Sequence, residues 1–184
     1  MGETMRLQRG FTIIELMITL AVMAILVSVA APGYQDFVAT TRLNSHTSEL
    51  VTALHYARSE AIKRNKMITL CKSSDGASCA VTGSWAQGWI VFTDGGTTGL
   101  VDGTDTILRV HEALTGGTTL VGQAALASAI TYRSNGTATQ SGQIDMCSAR
   151  QTINGRDIIV TSGTGKPVTV VDALPLTCNG EVIP

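Results

Sequence analysis

The sequence predicts an α+β fold in which one long N-terminal helix, transmembrane and then amphipathic, packs on an antiparallel, β-rich C-terminal head. The first observation is an almost wholly apolar run, Phe11–Ala31, which is followed by a helical pattern of apolar residues up to about residue 65. The second is a change at about Lys66 to short runs of β-favouring residues separated by Gly, Asn, Asp and Ser. A helix that leads into a series of strands is typical of the α+β class.

The run Phe11–Ala31 has the length and composition of a membrane-crossing helix. About 20 residues cross a hydrocarbon layer of ~30 Å, and a helix satisfies its own backbone hydrogen bonds there. Arg6 and Arg9 precede the run, and no basic cluster follows it directly. Because basic residues stay on the cytoplasmic side, the N-terminus is predicted to lie in the cytoplasm and the head on the other side of the membrane.

Glu15 lies inside this apolar run and does not fit a plain membrane anchor. An unpaired carboxylate at membrane depth costs several kcal/mol, so such a residue suggests a function. Cleavage after Gly10 would create an amino group at Phe11 that could pair with it. Two alternatives leave Glu15 unexplained: a secretory signal peptide with a cleavage site at Ser28-Val29-Ala30, and a simple signal anchor.

The string R-G-F-T-I-I-E-L, from Arg9 to Leu16, resembles the processing site of type IV prepilins and type II secretion pseudopilins. In that family a prepilin peptidase cuts after the glycine and methylates the new N-terminal residue. The resemblance implies that Gly10 precedes the cut, that Phe11 becomes the methylated N-terminus, and that Glu15 sets the register of one subunit against the next. It also implies a single-pass inner-membrane protein with a periplasmic head, which then enters a pilus or pseudopilus.

The helix is predicted to continue past Pro32 and Gly33, although proline usually kinks or ends a helix. Five apolar residues recur at spacings of seven, four, three and four, and so form one stripe that should pack on a sheet. The stripe comprises Leu43, Leu50, Leu54, Ala57 and Ala61. The predicted organisation is therefore a leader over residues 1–10, a helix over 11–65 with its transmembrane part at 11–31, and a head over 66–184.

Seven strands are predicted in the head, and Asn135-Gly136 is predicted to be a hairpin turn between two of them. The predicted strands are Met67–Lys72, Gly88–Thr93, Thr106–Glu112, Ala129–Ser134, Gln143–Cys147, Asp157–Ser162 and Val168–Asp172. The order of short motifs in this region, including A-R-S-E-A-I-K-R-N at Ala57–Asn65 and G-W-I-V-F-T-D at Gly88–Asp94, resembles the GspH/FimT family of minor pseudopilins. The resemblance implies a pilin-like fold and a role in assembly.

The four cysteines lack any C-x-x-C pair, which argues against zinc. An even number of cysteines behind an export segment favours two disulfides in an oxidising compartment. Among three possible connectivities, Cys71–Cys79 with Cys147–Cys178 is preferred because each bond closes a local loop. Free buried thiols are the alternative.

No catalytic, cofactor or metal site is predicted, and no nucleophile–base–acid motif is present. The acidic loop Asp94–Asp105 could hold calcium, but its spacing does not match an EF-hand, and acidic Gly-rich turns are often plain solvated loops. The three histidines are isolated from the cysteines and from obvious acid partners in the sequence; they are His46, His55 and His111. Trp89 is expected in the core, whereas Trp85 is a candidate for a partly exposed contact residue.

The family resemblance implies a minor pilin or pseudopilin, not an enzyme, that primes or caps a type IV pilus or a type II secretion pseudopilus. Its partners would be other subunits, through the N-terminal helix, the prepilin peptidase and the inner membrane. A secreted enzyme behind a signal peptide is a weaker alternative, because no catalytic residues are recognisable.

Capture of double-stranded DNA in natural transformation is the other alternative. Some FimT-like minor pilins touch DNA phosphates through a C-terminal Gly-Arg-x-Arg loop. The corresponding stretch here is Gly165–Val168, with lysine and valine in place of the two arginines. From Cys71 onward six basic residues face nine acidic ones, a net charge of about −3, which opposes DNA binding. The candidate contacts are Arg133, Arg150, Arg156 and Lys166.

Overall fold

The computed structural model describes residues 11–150 and 153–171. The chain forms two units, which divide between Phe37 and Val38. Helix α1 runs from Ile13 to Arg64 and contains Pro32, so the predicted continuation past this residue is confirmed. Before the division, the apolar side chains of α1 are exposed, and this end of the helix is long and apolar enough to cross a membrane, with a mean hydropathy of 2.6 over 18 residues.

In the second unit, the predicted apolar stripe of α1 is fully buried, which confirms that prediction. The stripe residues Leu43, Leu50, Leu54, Ala57 and Ala61 all have no exposed surface. They contribute to a core that also contains residues of the 3-10 turn at Trp85–Gln87 and of six strands. Burial of an apolar side chain stabilises the fold by about 1.5–3 kcal/mol, so this stripe holds the helix on the sheets.

Eight strands form two four-stranded antiparallel sheets. The strands are β1 (Ile68–Lys72), β2 (Trp89–Thr93), β3 (Ile107–His111), β4 (Thr119–Gly122), β5 (Ala129–Tyr132), β6 (Gly142–Cys147), β7 (Arg156–Val160) and β8 (Pro167–Val171). The order is β3-β2-β1-β5 in the first sheet and β4-β6-β7-β8 in the second. All seven predicted strands are confirmed to within two residues at each end. The eighth, β4, was not predicted because it is only four residues long and follows two glycines.

The turn at Asn135-Gly136 forms as predicted, but it does not join two neighbouring strands. Gly136 has a φ of +80°, and the Arg133 amide donates to the Thr137 carbonyl at 2.8 Å. The chain folds back only as far as a single bridge between Tyr132 and Ala138. Because β5 pairs with β1 and β6 pairs with β4 and β7, the predicted hairpin between two strands is wrong.

Both tryptophans are buried, so the prediction for Trp89 is confirmed and the exposed contact proposed for Trp85 is wrong. Trp85 has no exposed surface, and its indole Nε1 donates to the carbonyl of Leu126 at 3.0 Å. This bond satisfies the polar edge of the ring inside the core, as buried indoles require.

One predicted disulfide is present on the face of the first sheet that points away from α1. Cys71 and Cys79 are bonded with their Cα atoms 5.6 Å apart, which confirms this pair. Cys71 lies in a small second core with Ile90 and Phe92. Cys178 lies outside the described residues, so its pairing with Cys147 stays a prediction.

Candidate functional site

The first candidate site is the N-terminal end of α1, where Phe11 and Glu15 lie; Gly10 is outside the described residues. Thr12 precedes the helix, and its hydroxyl accepts a hydrogen bond from the Glu15 amide at 3.3 Å. The Glu15 carboxylate in turn accepts one from the Thr12 amide at 3.4 Å. This reciprocal pair is a capping box, which satisfies two of the backbone donors that a helix leaves free at its start.

The capping box gives Glu15 a local role that the sequence analysis missed, although T-x-x-E before an apolar run is its signature. The capping bond uses only part of the hydrogen-bonding capacity of the carboxylate, which can accept about four hydrogen bonds. Glu15 is exposed, as are the apolar side chains around it. The carboxylate therefore remains accessible to a cation while it caps the helix.

The apolar surface behind this cap extends along the first unit. Exposed large side chains include Ile14, Met17, Ile18, Leu20 and Ile25. Soluble monomers rarely expose continuous apolar patches of more than a few hundred Å², so this surface must be covered by lipid or by another chain. Glu15 is the one carboxylate within residues 11–31.

The second candidate site comprises the basic residues proposed for DNA, and the structure separates them into two pairs. Arg133 and Lys166 lie on neighbouring loops, because Gly165 packs against the turn at Gly136. A Cβ added to Gly165 would lie only 2.3 Å from the Gly136 carbonyl oxygen. Both basic side chains are exposed.

Arg150 and Arg156 lie at the opposite end of β7. Arg156 is the first residue of β7. Lys166 lies next to Pro167, which pairs with Val160, the last residue of β7. A five-residue strand is about 13 Å long, so the two pairs do not form one cluster. The Arg156 guanidinium donates to the carbonyls of Asn154 and Gly155, both at 3.0 Å, which engages part of its charge locally.

The carboxylates of the loop Asp94–Asp105 accept hydrogen bonds from the loop itself. Asp102 accepts from the amides of Thr97 and Thr104, and these bonds, with one from the Thr104 hydroxyl, lower the pKa of this carboxyl. Asp105 accepts from the amides of Gly95 and Asp102. Within residues 11–150 and 153–171, no group of three or more His, Cys, Asp or Glu side chains is arranged to hold a metal.

Two of the three histidines share an acid partner, so the expectation that they lack one is wrong. His46 Nδ1 and His111 Nε2 lie 3.1 Å and 3.3 Å from the same Glu49 oxygen, Oε2. The spacing of His46 and Glu49, three residues apart on a helix, could have indicated their contact from the sequence. The contact with His111 depends on where β3 packs and has no sequence signal.

Comparison with known proteins identifies two matching families. Residues 46–165 match the family described as Type II transport protein GspH, and residues 5–31 match the prokaryotic N-terminal methylation motif. The first match covers most of the head, and the second covers Gly10, Phe11 and Glu15.

Curated relatives are similar over part of the chain. A fimbrial protein of Pseudomonas aeruginosa is 47% identical over 64 residues, which are 35% of this chain and 41% of that protein. Fimbrial protein EcpC of Eikenella corrodens is 32% identical over 99 residues, which are 54% of this chain and 63% of that protein. The chain thus spans less than two thirds of the length of these relatives.

The fold is similar to that of a solved pilin. The crystal structure of the type IV minor pilin FimU of Pseudomonas aeruginosa superposes with a TM-score of 0.58 at 20% identity, over 76% of this chain and 99% of that one. This likeness concerns the fold alone. The family match over residues 46–165, with the methylation motif, shows the family: the chain belongs to the GspH family of pilin and pseudopilin subunits.

Proposed function

We propose that this chain is processed after Gly10 and then primes or caps a type IV pilus or a type II secretion pseudopilus. The chain belongs to a family of structural subunits, and the first unit of its helix is long and apolar enough to cross a membrane. The single observation that carries the proposal is Glu15, an exposed carboxylate at the start of a long, exposed apolar helix surface.

The chemistry of the proposed assembly uses the new N-terminus. Cleavage after Gly10 leaves the amino group of Phe11 four residues before Glu15, on an end of the chain that is exposed. In the membrane or in a filament, the carboxylate loses most of its water, and a buried charge is tolerated only with a partner. The Phe11 ammonium of a neighbouring subunit is such a partner, so the ion pair sets the register between the two helices.

The apolar surface supplies the attraction, and the ion pair supplies the register. In a membrane, apolar helices associate through van der Waals packing along their length, whereas a single charged pair fits at one position only. The processing leaves a leader of residues 1–10, a helix of residues 11–65 and a head of residues 66–184. Arg6 and Arg9 favour a cytoplasmic leader and therefore a periplasmic head.

The proposed place at the end of the filament is that of a minor subunit. FimU, whose fold this chain resembles, is described as a minor pilin. The same proposal makes other pilin or pseudopilin subunits, the prepilin peptidase and the inner membrane the partners of this chain.

Mass spectrometry of the mature N-terminus tests the processing step. We expect the full chain, expressed with a prepilin peptidase, to begin at N-methylated Phe11. We expect Gly10→Leu to abolish the cut, because the peptidase of the resembled family cuts after a glycine. Gly33→Ala is a matched control, since a Cβ at Gly33 meets no atom within 4 Å. A mature chain that begins near Ala31 would show a secreted protein and contradict the proposal.

Binding of double-stranded DNA is the second candidate, and it is favoured by the exposed side chains of Arg133 and Lys166 on neighbouring loops. In a gel-shift titration of the full chain in detergent, Lys166→Ala should weaken binding to all sequences alike and reduce the salt slope by about one. Arg156→Ala should have a smaller effect, because its guanidinium already binds two carbonyls. If the unmodified chain binds no DNA at low salt, this candidate function is wrong.

A further inference from the structure

One carbonyl group in the connection between β5 and β6 joins three segments of the head. The Arg58 Nε of α1 donates to the Gly136 carbonyl oxygen at 2.9 Å. A Cβ built at Gly165 would lie 2.3 Å from the same oxygen, so the loop between β7 and β8 packs directly against it. The Arg133 guanidinium donates to the Ala138 carbonyl at 3.2 Å, and the Gly165 Cβ would lie 3.0 Å from the Ala138 amide nitrogen. Arg58 and Arg133 therefore both contact the short stretch of backbone on which Gly165 packs.

Lys166 and Arg109 extend this group of cations. Lys166 follows Gly165 and is exposed. Arg109, on β3, lines a cleft of about 470 Å³ together with Arg58. The Arg109 guanidinium lies over the Tyr56 ring at 4.9 Å, a cation–π contact that helps to hold an exposed side chain in place. We call these four residues the basic surface: Arg58, Arg109, Arg133 and Lys166.

On α1, the carboxylate closest to Arg58 in the sequence is engaged by other cations. Glu60 lies two residues after Arg58 and forms ion pairs with Lys63 and Arg64. The hydrogen bond from Arg64 is the main reason why the pKa of Glu60 lies below its usual value. The charge of Glu60 is therefore offset by these two side chains and not by Arg58.

Arg109 also lines a second cleft, which contains one acid, Glu49. Glu49 Oε2 lies 3.1 Å from His46 Nδ1 and 3.3 Å from His111 Nε2. His111 is in turn stacked on Trp89, with the ring centroids 3.9 Å apart and the planes 11° from parallel. Within residues 11–150 and 153–171, no ion pair engages any member of the basic surface.

Four cations without acid partners favour a ligand that carries several anionic groups in a row. A guanidinium has five N–H donors, of which Arg58 and Arg133 each use one on a carbonyl oxygen. The donors that remain suit the planar, bidentate contacts that arginine makes with phosphate oxygens. A phosphate backbone offers such groups at successive positions, so it can contact the cleft and the two loops at the same time.

We infer that the basic surface binds the phosphate backbone of double-stranded DNA, and that its two cleft residues, Arg58 and Arg109, contribute as much as Lys166. The inference rests on the second candidate function proposed above, and it assigns that function to one surface, without Arg150 and Arg156. A cleft lined by one sign of charge attracts a polyanion even though the net charge of the whole chain is −1.

The salt dependence of duplex binding tests the inference with the full chain in micelles of a neutral detergent. Four phosphate contacts predict a slope of about −3.6 when the logarithm of the binding constant is plotted against that of the salt concentration. Arg58→Gln and Arg109→Gln should each bring the slope closer to zero by about 0.9, and the double variant by about 1.8. Arg58→Lys should keep the slope, because it keeps the charge. Arg42→Gln is the matched control, because Arg42 is an exposed arginine of the same helix that lies against Gly116, outside the basic surface.

A urea midpoint equal to that of the unmodified chain shows that a variant is folded. If Arg58→Gln lowers the midpoint, Arg109→Gln decides alone, since this side chain is exposed. A duplex that binds folded Arg109→Gln with an unchanged slope overturns this inference, while DNA binding through Lys166 stands. Absence of duplex binding by the unmodified chain at low salt overturns both.

Competition with polyglutamate provides a second arm. We expect the duplex to stay bound at an equal concentration of polyglutamate charges, because carboxylates on a flexible chain do not match the fixed spacing of phosphates. If polyglutamate displaces the duplex more effectively than an unlabelled duplex does, the basic surface fits an acidic protein segment and the inference is wrong.

Discussion

Glu15→Gln is expected to lower the incorporation of this subunit into filaments by about tenfold or more. Glutamine is accepted at this position of a capping box, so the substitution leaves the helix start intact and removes only the negative charge. A desolvated ion pair that contributes ~1.4 kcal/mol to one interface changes the association constant tenfold. The measurement is the amount of this subunit in sheared filaments, relative to its amount in the membrane fraction.

A further variant separates the charge of Glu15 from its capping bond. Thr12→Ala removes the hydroxyl that accepts from the Glu15 amide but keeps the carboxylate, so incorporation should remain near normal. Loss of an N-cap costs about 1 kcal/mol of helix stability, which a membrane-inserted helix tolerates. If Thr12→Ala impairs incorporation as strongly as Glu15→Gln, the cap and not the ion pair is the important feature, and the proposed register mechanism fails.

Gly88→Ala is expected to destabilise the head by about 3 kcal/mol or more. Gly88 has φ 110° and ψ 172°, a region that is essentially restricted to glycine and costs other residues of order 1–3 kcal/mol. A Cβ there would lie 2.5 Å from the backbone oxygen of His111, so β3 would have to move away as well. Overpacking of this kind typically adds about 1–3 kcal/mol.

The free energy of unfolding, from urea titrations in detergent, measures this effect. Gly103→Ala is the matched control: Gly103 lacks a positive φ, and a Cβ there meets no atom within 4 Å. Its stability should stay within about 0.5 kcal/mol of the unmodified chain. Equal midpoints for Gly88→Ala and the unmodified chain would show that β2 and β3 can separate at Gly88 without cost.

Most of the head could be predicted from the sequence because its elements follow local rules. The stripe from Leu43 to Ala61 has helical spacing, and the seven predicted strands lie between clear turn signals. The division into two sheets could not be predicted, because pairing depends on contacts between distant segments. For the same reason the turn at Asn135-Gly136 has the sequence of a hairpin although its flanking strands lie in different sheets.

The candidate sites also differ in whether the sequence could predict them. Gly10, Phe11 and Glu15 lie close together in the chain, so a single stretch of sequence is enough to predict the processing site. The capping bond of Glu15 is equally local, since Thr12 and Glu15 have the spacing of a capping box. The contact between Glu49 and His111 joins the helix to β3, and the separation of Arg133 from Arg156 follows from the register of β7 and β8. Neither this contact nor this separation can be predicted from the spacing of the residues along the sequence.

The stack of His111 on Trp89 has a spectroscopic consequence. An imidazolium draws electron density from an excited indole at van der Waals distance far more effectively than a neutral imidazole does. The emission of Trp89 should therefore dim when His111 is charged and brighten when the proton leaves. In the purified chain, the indole emission therefore reports on the charge of the ring that is stacked on Trp89.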